Sequence, residues 1–395
     1  MTELLPYFFD WLNLLLRWSH VIVGIAWIGA SFYFVWLDDH LEPPSPALRD
    51  QGGSGELWAV HGGGFYNPQK YLLAPKSLPQ NLHWFYWEAY STFLTGFALF
   101  VFTYLINPSG FLIDAQVAQL SPTMAIIAAL AFLVVGWLVY DGICRVFGQK
   151  PNGDRSVAAL VAVYVVAASY LACNIFAGRA AFLIIGAMLG TIMAANVFFW
   201  IIPGQRKVVA ILRSGGTPPA IHGQIGKQRS VHNTYLTLPV LFAMLSNHFT
   251  MVSNGRWNWL MLLLMMLGGA LVRLYFVERH KGRGNLAWPV LAVILFVATA
   301  VLAAPKNILA LRESKKLSLV ADIQPIINER CLACHNGPEA PKQLDFTNIS
   351  ITRANAQQIY QQVYVQKAMP QNNATQITDE ERAKFGNWYE QGAKE

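Results

Sequence analysis

Charged residues are scarce in this chain. Asp, Glu, Lys and Arg make up 13% of its 395 residues, whereas hydrophobic residues make up 54%. A soluble globular domain carries about a quarter of its residues as charged side chains. The shortage of charge therefore excludes an ordinary soluble domain and favours a chain that has lipid as its main solvent.

Cysteines are also few. Of the four present, Cys144 and Cys173 lie inside apolar segments, and Cys331 and Cys334 belong to one CxxCH motif. This placement excludes a disulfide framework. The chain also lacks a basic run with interleaved aromatic residues, so its net charge of +7 indicates cationic cytoplasmic loops and no nucleic-acid partner.

Long apolar runs, by contrast, are abundant, and each approaches the roughly 20 residues that a helix needs to cross a bilayer. The first run is long enough to span and no small-residue cleavage site follows it, so we expect it to stay as a helix rather than to act as a cleavable signal. The sequence predicts an all-α fold with a polytopic transmembrane bundle of about eight helices, near residues 11–37, 82–106, 124–147, 156–175, 180–202, 232–250, 256–278 and 286–304.

The loop charges orient this bundle. The positive-inside rule assigns cation-rich loops to the cytoplasm, and the loops after the first, third, fifth and seventh predicted helices are cation-rich. The opposite loops hold Arg179 and Arg256. The N-terminus and everything after the eighth helix are therefore predicted to lie outside. The cytoplasmic cations are Arg49, Lys70, Lys76, Lys150, Arg155, Arg206, Lys207, Arg213, Lys227, Arg229, Arg279, Lys281 and Arg283.

The C-terminal part has the signature of a c-type cytochrome. In Cys331-Leu-Ala-Cys334-His335, two thiols can attach a haem covalently and the adjacent imidazole can bind its iron. The tail has no second Cys/His pair that would complete a zinc site. Met369, followed by a proline, is the predicted sixth ligand. His/Met ligation gives a comparatively high potential that suits an electron acceptor.

These observations divide the chain into three parts. We predict a membrane domain at 1–304, a linker at 305–320 and a small all-α cytochrome c domain at 321–395. Since c-type haem is attached on the outer side of the bacterial inner membrane, the motif and the loop charges agree on a periplasmic tail. Thr378 and Glu381 predict a capping box for a closing helix that buries Phe385, Trp388 and Tyr389. A Gly-rich stretch around LWAVHGGGFY predicts a short hairpin between the first two membrane helices.

Ionisable residues inside predicted spans are costly in lipid and point to function. His20, His83, His232 and His248 fall in two pairs of similar depth. One or two haem b groups with paired histidine ligands would account for them; interfacial or hydrogen-bonded histidines are the alternative. Pro239 lies between the last two.

Buried arginines suggest a site for an anion. Asp141 with Arg145, and Arg273 with Glu278, are spaced to form ion pairs. Alternatively, Arg residues neutralise an anionic planar molecule in a cytoplasm-facing pocket while aromatic rings stack on it. The candidate pocket residues are Arg145, Arg273, His61, Glu88, Trp84, Trp87 and Trp200.

Four motifs together resemble one family. WSHVIVGIAWIGASFYF in the first helix, HGGGFY, LHWFYWEAY and CLACH resemble the membrane-bound, cytochrome c-containing urate oxidases over essentially the whole chain. The opening helix is also similar to those of protoporphyrinogen-oxidising and copper-resistance membrane families.

The resemblance implies a urate-oxidising membrane domain that converts urate to 5-hydroxyisourate. Electrons would pass through the haem of Cys331, Cys334 and His335 to a soluble cytochrome c or a terminal oxidase of the respiratory chain, without hydrogen peroxide. Glu88, Asp141 or His61 would serve as general base. Two other functions stay open: a dehydrogenase for another small reductant such as a quinol, and a haem- or copper-handling membrane protein.

Overall fold

The structure is a computed structural model that describes residues 4–72, 75, 78–304 and 317–393. Lys76 and residues 305–316, most of the predicted linker, lie outside this range. Helices dominate the described part. They are α1 (Leu4–Asp39), α2 (Pro46–Asp50), α3 (Trp87–Phe100), α4 (Pro108–Phe111), α5 (Pro122–Phe147), α6 (Gly153–Cys173), α7 (Gly178–Ala195), α8 (Ile202–Arg213), α9 (Ala220–Leu245), α10 (Thr250–Ser253), α11 (Asn258–His280), α12 (Ala287–Ala303), α13 (Gln324–Arg330), α14 (Ile349–Ala354), α15 (Ala356–Ile359) and α16 (Asp379–Glu390).

Among the described residues, five helical segments are long and apolar enough to cross a membrane: Tyr7–Asp39, Pro122–Phe147, Gly153–Cys173, Gly178–Arg213 and Asn258–His280. Helix α12 is apolar but shorter, at 17 residues. The remaining predicted spans fall in α3, which a π-helical turn extends to residue 105, and in the more polar α9. The described part is nearly all-α and has several apolar spans, as predicted, while the count of eight stays a prediction.

Helix α7 forms the centre of the bundle. Its residues from Ala180 to Ala194 are largely buried between α5, α6 and α9. Small residues let the helices approach closely: a Cβ added to Gly136 would lie 2.3 Å from Met188, and one added to Gly186 would lie 2.9 Å from Ala243. Such contacts are typical of helix packing in lipid, where hydrophobic burial adds little.

The loop after α1 carries two small antiparallel sheets. β1 (Gly53–Glu56) pairs with β4 (Gln69–Tyr71), and β2 (Ala59–His61) pairs with β3 (Gly64–Tyr66). Gly62 and Gly63, with φ of 58° and 81°, form the turn of the second pair, where positive φ favours glycine. The predicted hairpin is confirmed.

The described tail has its own apolar core. Leu319, Ile327, Phe385 and Trp388 are at most 1% exposed in it. Thr378 accepts from the Glu381 amide while Glu381 accepts from the Thr378 amide. The predicted capping box and the burial of Phe385 and Trp388 are confirmed.

The tail contacts one end of the bundle through residues on both sides of Met369. Asn372 Nδ2 donates to the Gly110 carbonyl at 2.5 Å, and Asn254 Nδ2 donates to the Lys367 carbonyl at 3.1 Å. Helix α4 and the short connection between α10 and α11 therefore form the surface on which the tail rests.

Candidate functional site

Asp141 on α5 is the centre of a buried charge network. Its Oδ2 accepts from Arg145 Nε at 2.6 Å. Its Oδ1 accepts from Arg229 Nη2 and from Trp200 Nε1, both at 2.7 Å. Arg229 and Asp141 are only 2% and 6% exposed, and buried charges persist when they are paired and hydrogen-bonded. The predicted Asp141–Arg145 ion pair is confirmed, with Arg229 as a further partner.

Two asparagines extend the network between α7 and α9. Asn196 Nδ2 donates to Asn233 Oδ1 at 2.9 Å and to the Tyr140 hydroxyl at 3.0 Å, and its Oδ1 accepts from Arg229 Nη1 at 3.3 Å. The Tyr140 hydroxyl lies 2.7 Å from His232 Nδ1. This contact occupies Nδ1, so a haem iron would have to bind His232 through Nε2.

The sequence does not identify Arg229, Asn196 and Asn233 as members of a buried polar network. The charge argument assigns Arg229 to a loop because the predicted span begins at 232, whereas α9 begins at Ala220. A usable signal was present, since Arg229 stands three residues before His232, on the same helix face. Asn196 opens a π-helical turn, Asn196–Ile201, and such turns are frequent at functional sites.

A second polar cluster lies where α1, α9 and α11 meet. Arg273 is 5% exposed, and its guanidinium carbon lies 3.8 Å from the centre of the Phe32 ring. Its Nε and Nη2 are buried without a hydrogen-bond partner. A buried guanidinium that lacks acceptors is unfavourable, so its free donors are suited to an anion. Glu278 pairs instead with Lys281 and Arg283.

Two neighbours bring further unpartnered atoms to Arg273. Nδ1 of His280 and Oδ2 of Asp39 are buried without partners, and both residues interact electrostatically with Arg273. The His280 ring packs edge-on against His40 at 5.1 Å, and His40 stacks on Trp36 at 4.7 Å. We call this set the Arg273 cluster: Phe32, Trp36, Asp39, His40, Tyr235, Arg273 and His280.

The Arg273 cluster combines the groups that a planar anion with ring N–H groups requires. Arg273 offers cationic donors, Asp39 offers an acceptor, and His280 can give or take a proton. Phe32 and Trp36 add flat apolar surfaces. The cluster lies on the C-terminal halves of α1 and α11, the halves that the loop charges assign to the cytoplasmic side.

The other predicted binding residues lie elsewhere. Trp84 packs against Ala89, Val197 and Ile202, Trp87 is 63% exposed, and Arg145 lies over the Trp200 ring at 4.9 Å. Among the contacts of the described residues, none joins Arg145, Trp84 or Trp87 to the Arg273 cluster.

The three predicted bases differ in availability. His61 is exposed at the end of β2. Both oxygens of Asp141 already accept hydrogen bonds. Glu88 keeps a buried, unpartnered Oε2. Their role as bases stays a prediction.

The predicted haem b histidines are distributed over several surfaces. His20 Nδ1 lies 3.1 Å from the Thr95 hydroxyl. Its ring is so close to Gly96 that an added Cβ would lie 2.8 Å from Cε1. His83 packs edge-on against Phe85 at 4.6 Å, and His248 ends a 3₁₀ turn. No contact within the described part of the chain pairs two of these four histidines, so their pairing stays a prediction.

The tail presents the CxxCH side chains as a donor set that fits a covalent haem. His335 Nδ1 lies 3.1 Å from the Leu344 carbonyl, an orientation that leaves Nε2 for a metal. Both cysteines are free, and burial raises the pKa of Cys331 to about 12. No cluster of three or more His, Cys, Asp or Glu side chains that could hold a metal occurs in the described residues.

Arg382 holds the loop of the predicted sixth ligand. Its Nη1 donates to the Met369 and Val363 carbonyls at 2.7 Å, and its Nη2 donates to Asn373 Oδ1 at 3.1 Å. Arg382 is 5% exposed, whereas Met369 is 39% exposed. The sequence gives no sign of this role, because Arg382 reads as an ordinary residue of the closing helix.

Comparison of the chain with known protein families gives one match. The family model described as urate oxidase N-terminal matches residues 6–304. The chain belongs to this family. No curated protein and no solved structure matches the chain. The matched range covers the helical bundle with both polar clusters, and the family suggests a urate-related function for the chain.

Proposed function

We propose that this protein is a membrane urate oxidase that converts urate to 5-hydroxyisourate and delivers the electrons to a covalent c-type haem in its tail. Three observations support the proposal: the urate oxidase family match over the bundle, the apolar spans and the CxxCH geometry of the tail. The observation that carries it is the buried guanidinium of Arg273 with two unpartnered nitrogens.

We place urate at the Arg273 cluster. Urate is a planar monoanion at neutral pH, with carbonyl oxygens that accept hydrogen bonds and ring N–H groups that donate them. Arg273 neutralises the charge, and Asp39 accepts a ring N–H. The unpartnered atoms of Arg273, Asp39 and His280 are all buried. The cluster therefore favours a ligand that forms a hydrogen bond with each of these atoms at the same time.

The reaction balances as urate plus water giving 5-hydroxyisourate, two protons and two electrons. A general base must take a proton as the ring loses electrons. We assign this role to His280, whose Nδ1 has no partner and which adjoins Arg273. Glu88, His61 and Asp141 are the other candidates.

When bound, the c-type haem supplies a one-electron acceptor of comparatively high potential, so each urate requires two transfers. Cys331 and Cys334 would attach it, and His335 and Met369 would bind its iron. One or two haem b groups bound by His20, His83, His232 or His248 would carry electrons from the inner end of the bundle to its outer end. We place the protein in the bacterial inner membrane with its tail in the periplasm, passing electrons to a soluble cytochrome c or a terminal oxidase.

Anaerobic reduction tests the proposal. Urate is added to the oxidised, detergent-solubilised protein while the c and b haem bands are recorded separately. We expect urate to reduce the haem, and xanthine or a quinol not to reduce it. If dithionite reduces the haem but urate does not, the proposed function is wrong. Reduction by a quinol alone would favour the dehydrogenase alternative.

Substitution of Arg273 tests the site. Hydrogen bonds to charged groups contribute about 1.5–3 kcal/mol, so Arg273→Gln should raise KM for urate roughly ten- to hundredfold. Arg279→Gln is the matched control, because Arg279 is exposed on the same helix. His280→Asn should lower kcat and remove the rise in rate with pH that deprotonation of a base produces. Equal effects of both arginine changes would contradict the assignment.

A further inference from the structure

A large cavity separates the tail from the outer end of the bundle. Its volume is about 910 Å³, and residues of both parts line it. Trp257 and Asn258 at this cavity start α11, and Arg273 follows 15 residues later, about 22 Å along the helix. We call the cavity the outer cleft; it is distinct from the Arg273 cluster.

Unpaired cations line the outer cleft. Arg179 and Arg256 have no carboxylate partner among the ion pairs of the described residues. Lys367, by contrast, pairs with Asp379 at 2.6 Å. Asp114 and Asp379 are the carboxylates of the lining, against the cations Arg179, Arg256, Lys367 and Arg382. The cleft therefore has a net positive potential that attracts anions.

Helix ends and a buried hydroxyl add donors to the outer cleft. Helices α7 and α11 both begin there, and neither has a side-chain N-cap. The exposed N–H groups of a helix start favour negative charge. Ser253, which also lines the cleft, is 0% exposed, and its Oγ has no hydrogen-bond partner.

One wall of the outer cleft is aromatic. Trp259 packs edge-on against Tyr170 at 5.5 Å and lies 6.5 Å from Trp257. The guanidinium of Arg256 lies 5.6 Å from the centre of the Trp257 ring. Flat aromatic surfaces beside unpaired guanidinium groups recognise ligands that are both planar and anionic.

We propose that the outer cleft is a second binding site, on the outer side, for a planar organic anion, and that urate is its ligand. The class of ligand follows from the cleft itself, whereas its identity as urate rests on the proposed function. An anion in this position contacts the bundle and lies beside the loop that holds Met369.

Equilibrium dialysis tests the second site in dithionite-reduced, anaerobic holoprotein, which cannot oxidise the probe. Urate is the probe, and Arg273→Gln is the background that weakens the first site. We expect this protein still to bind one urate per chain. Adding Arg179→Gln and Arg256→Gln should weaken that binding about tenfold or more, whereas the matched control Arg17→Gln, also at the outer end, should leave it unchanged.

Two further measurements fix the class of ligand. Phosphate should compete poorly with urate, and Trp257→Leu, at an exposed position, should weaken urate binding while leaving phosphate binding unchanged. Absence of urate binding in the Arg273→Gln protein, or binding that the double arginine change does not weaken, would overturn the second site. Equal competition by phosphate would overturn the planar class. Reduction of wild-type haem by urate, measured in parallel, reports separately on the proposed function.

Discussion

Two buried arginines of the bundle differ in their partners. Arg229 donates through both terminal nitrogens to Asp141 and Asn196, and its Nε alone lacks a partner. Arg273 has two nitrogens without acceptors, one of them terminal. Because a buried donor without an acceptor is destabilising, Arg229 is suited to hold the helices together and Arg273 to bind a ligand.

Substitution of Arg382 should change the reduction potential of the proposed haem indirectly, through the loop that carries Met369. Arg382→Gln removes the donors to the Met369 and Val363 carbonyls, and buried carbonyls left unpaired cost about 1–3 kcal/mol. We expect the Met369 loop to loosen and the haem potential to fall, since methionine ligation raises it. Redox potentiometry of the full-length protein measures the shift. An unchanged potential would show that Met369 needs no such support.

Glu381 should make the tail sensitive to acid. Burial acts to raise its pKa, but the Thr378 amide and Arg330 outweigh it, so the pKa is lowered from the ordinary value of about 4.5. A lowered pKa means that the stabilisation is present above the ordinary value and is lost as pH falls through the folded-state value.

We therefore expect the tail to unfold more readily at about pH 3 than at neutral pH. Glu381→Gln keeps a capping amide and should reduce this dependence. Thr378→Ala removes the cap at every pH and should lower stability by about 1 kcal/mol. Thermal unfolding of the full chain, followed in the haem absorbance, makes the comparison. Identical acid sensitivity of Glu381→Gln and wild type would contradict the role of Glu381.

The sequence predicts those site residues that belong to a local motif or interrupt an apolar run, and it misses those that are brought together only by folding. The CxxCH motif and the Thr378 capping box are local patterns, and they could be read directly. Arg273 could be singled out because a charge in an apolar run is unusual. Its neighbour Asp39 could not, because α1 and α11 are far apart in the chain and meet only through packing. His280, seven residues after Arg273 on α11, lies just beyond the predicted span and is missed for that reason.

At the scale of elements, hydropathy locates the helices better than it locates their ends. Helix α9 starts at Ala220, twelve residues before the predicted span, because a helix continues into polar sequence when its polar face has partners. Arg229 and Asn233 on α9 find those partners in Asp141 on α5 and in Asn196, which directly follows α7. The predicted apolar runs therefore locate the helices, but not the polar helical turns that build the charge network.

Helix α7 offers a matched pair of glycine substitutions. At Gly178 an added Cβ would lie 2.0 Å from the Ser253 carbonyl, whereas at Gly190 it would meet nothing within 4 Å. Gly178→Ala should thus force backbone movement and cost about 1–3 kcal/mol or more. Gly190→Ala should be neutral or stabilise the helix by about 0.5–1 kcal/mol. Apparent melting temperatures in one detergent at one scan rate distinguish them; equal values would contradict this packing.

At the scale of the whole molecule, the contact between tail and bundle would decide how electrons reach the proposed haem. Two pairs of aromatic rings lie in a row that ends beside this contact. The ring centres of Phe100 and Tyr104 are 5.9 Å apart, and those of Tyr104 and Phe111 are 5.7 Å apart. Phe111 belongs to α4, whose Gly110 carbonyl accepts from Asn372. The sequence does not predict this contact, because nothing in the separate segments of Gly110 and Asn372 indicates that the two residues meet.

Asn372→Gly should separate docking from haem chemistry. It removes the side chain that bonds to the Gly110 carbonyl, and glycine adopts the φ of 50° at this position without strain. Met369 and Arg382 stay in place, so the haem potential should stay unchanged. Loss of one such hydrogen bond weakens docking by about 1 kcal/mol, roughly a fivefold change in the docked population. Reduction of the haem by urate should slow severalfold, whereas reduction by ascorbate, which reaches the tail from solution, should not. Equal slowing with both reductants would instead place the defect inside the tail, and no slowing with either would mean that electrons enter through another surface.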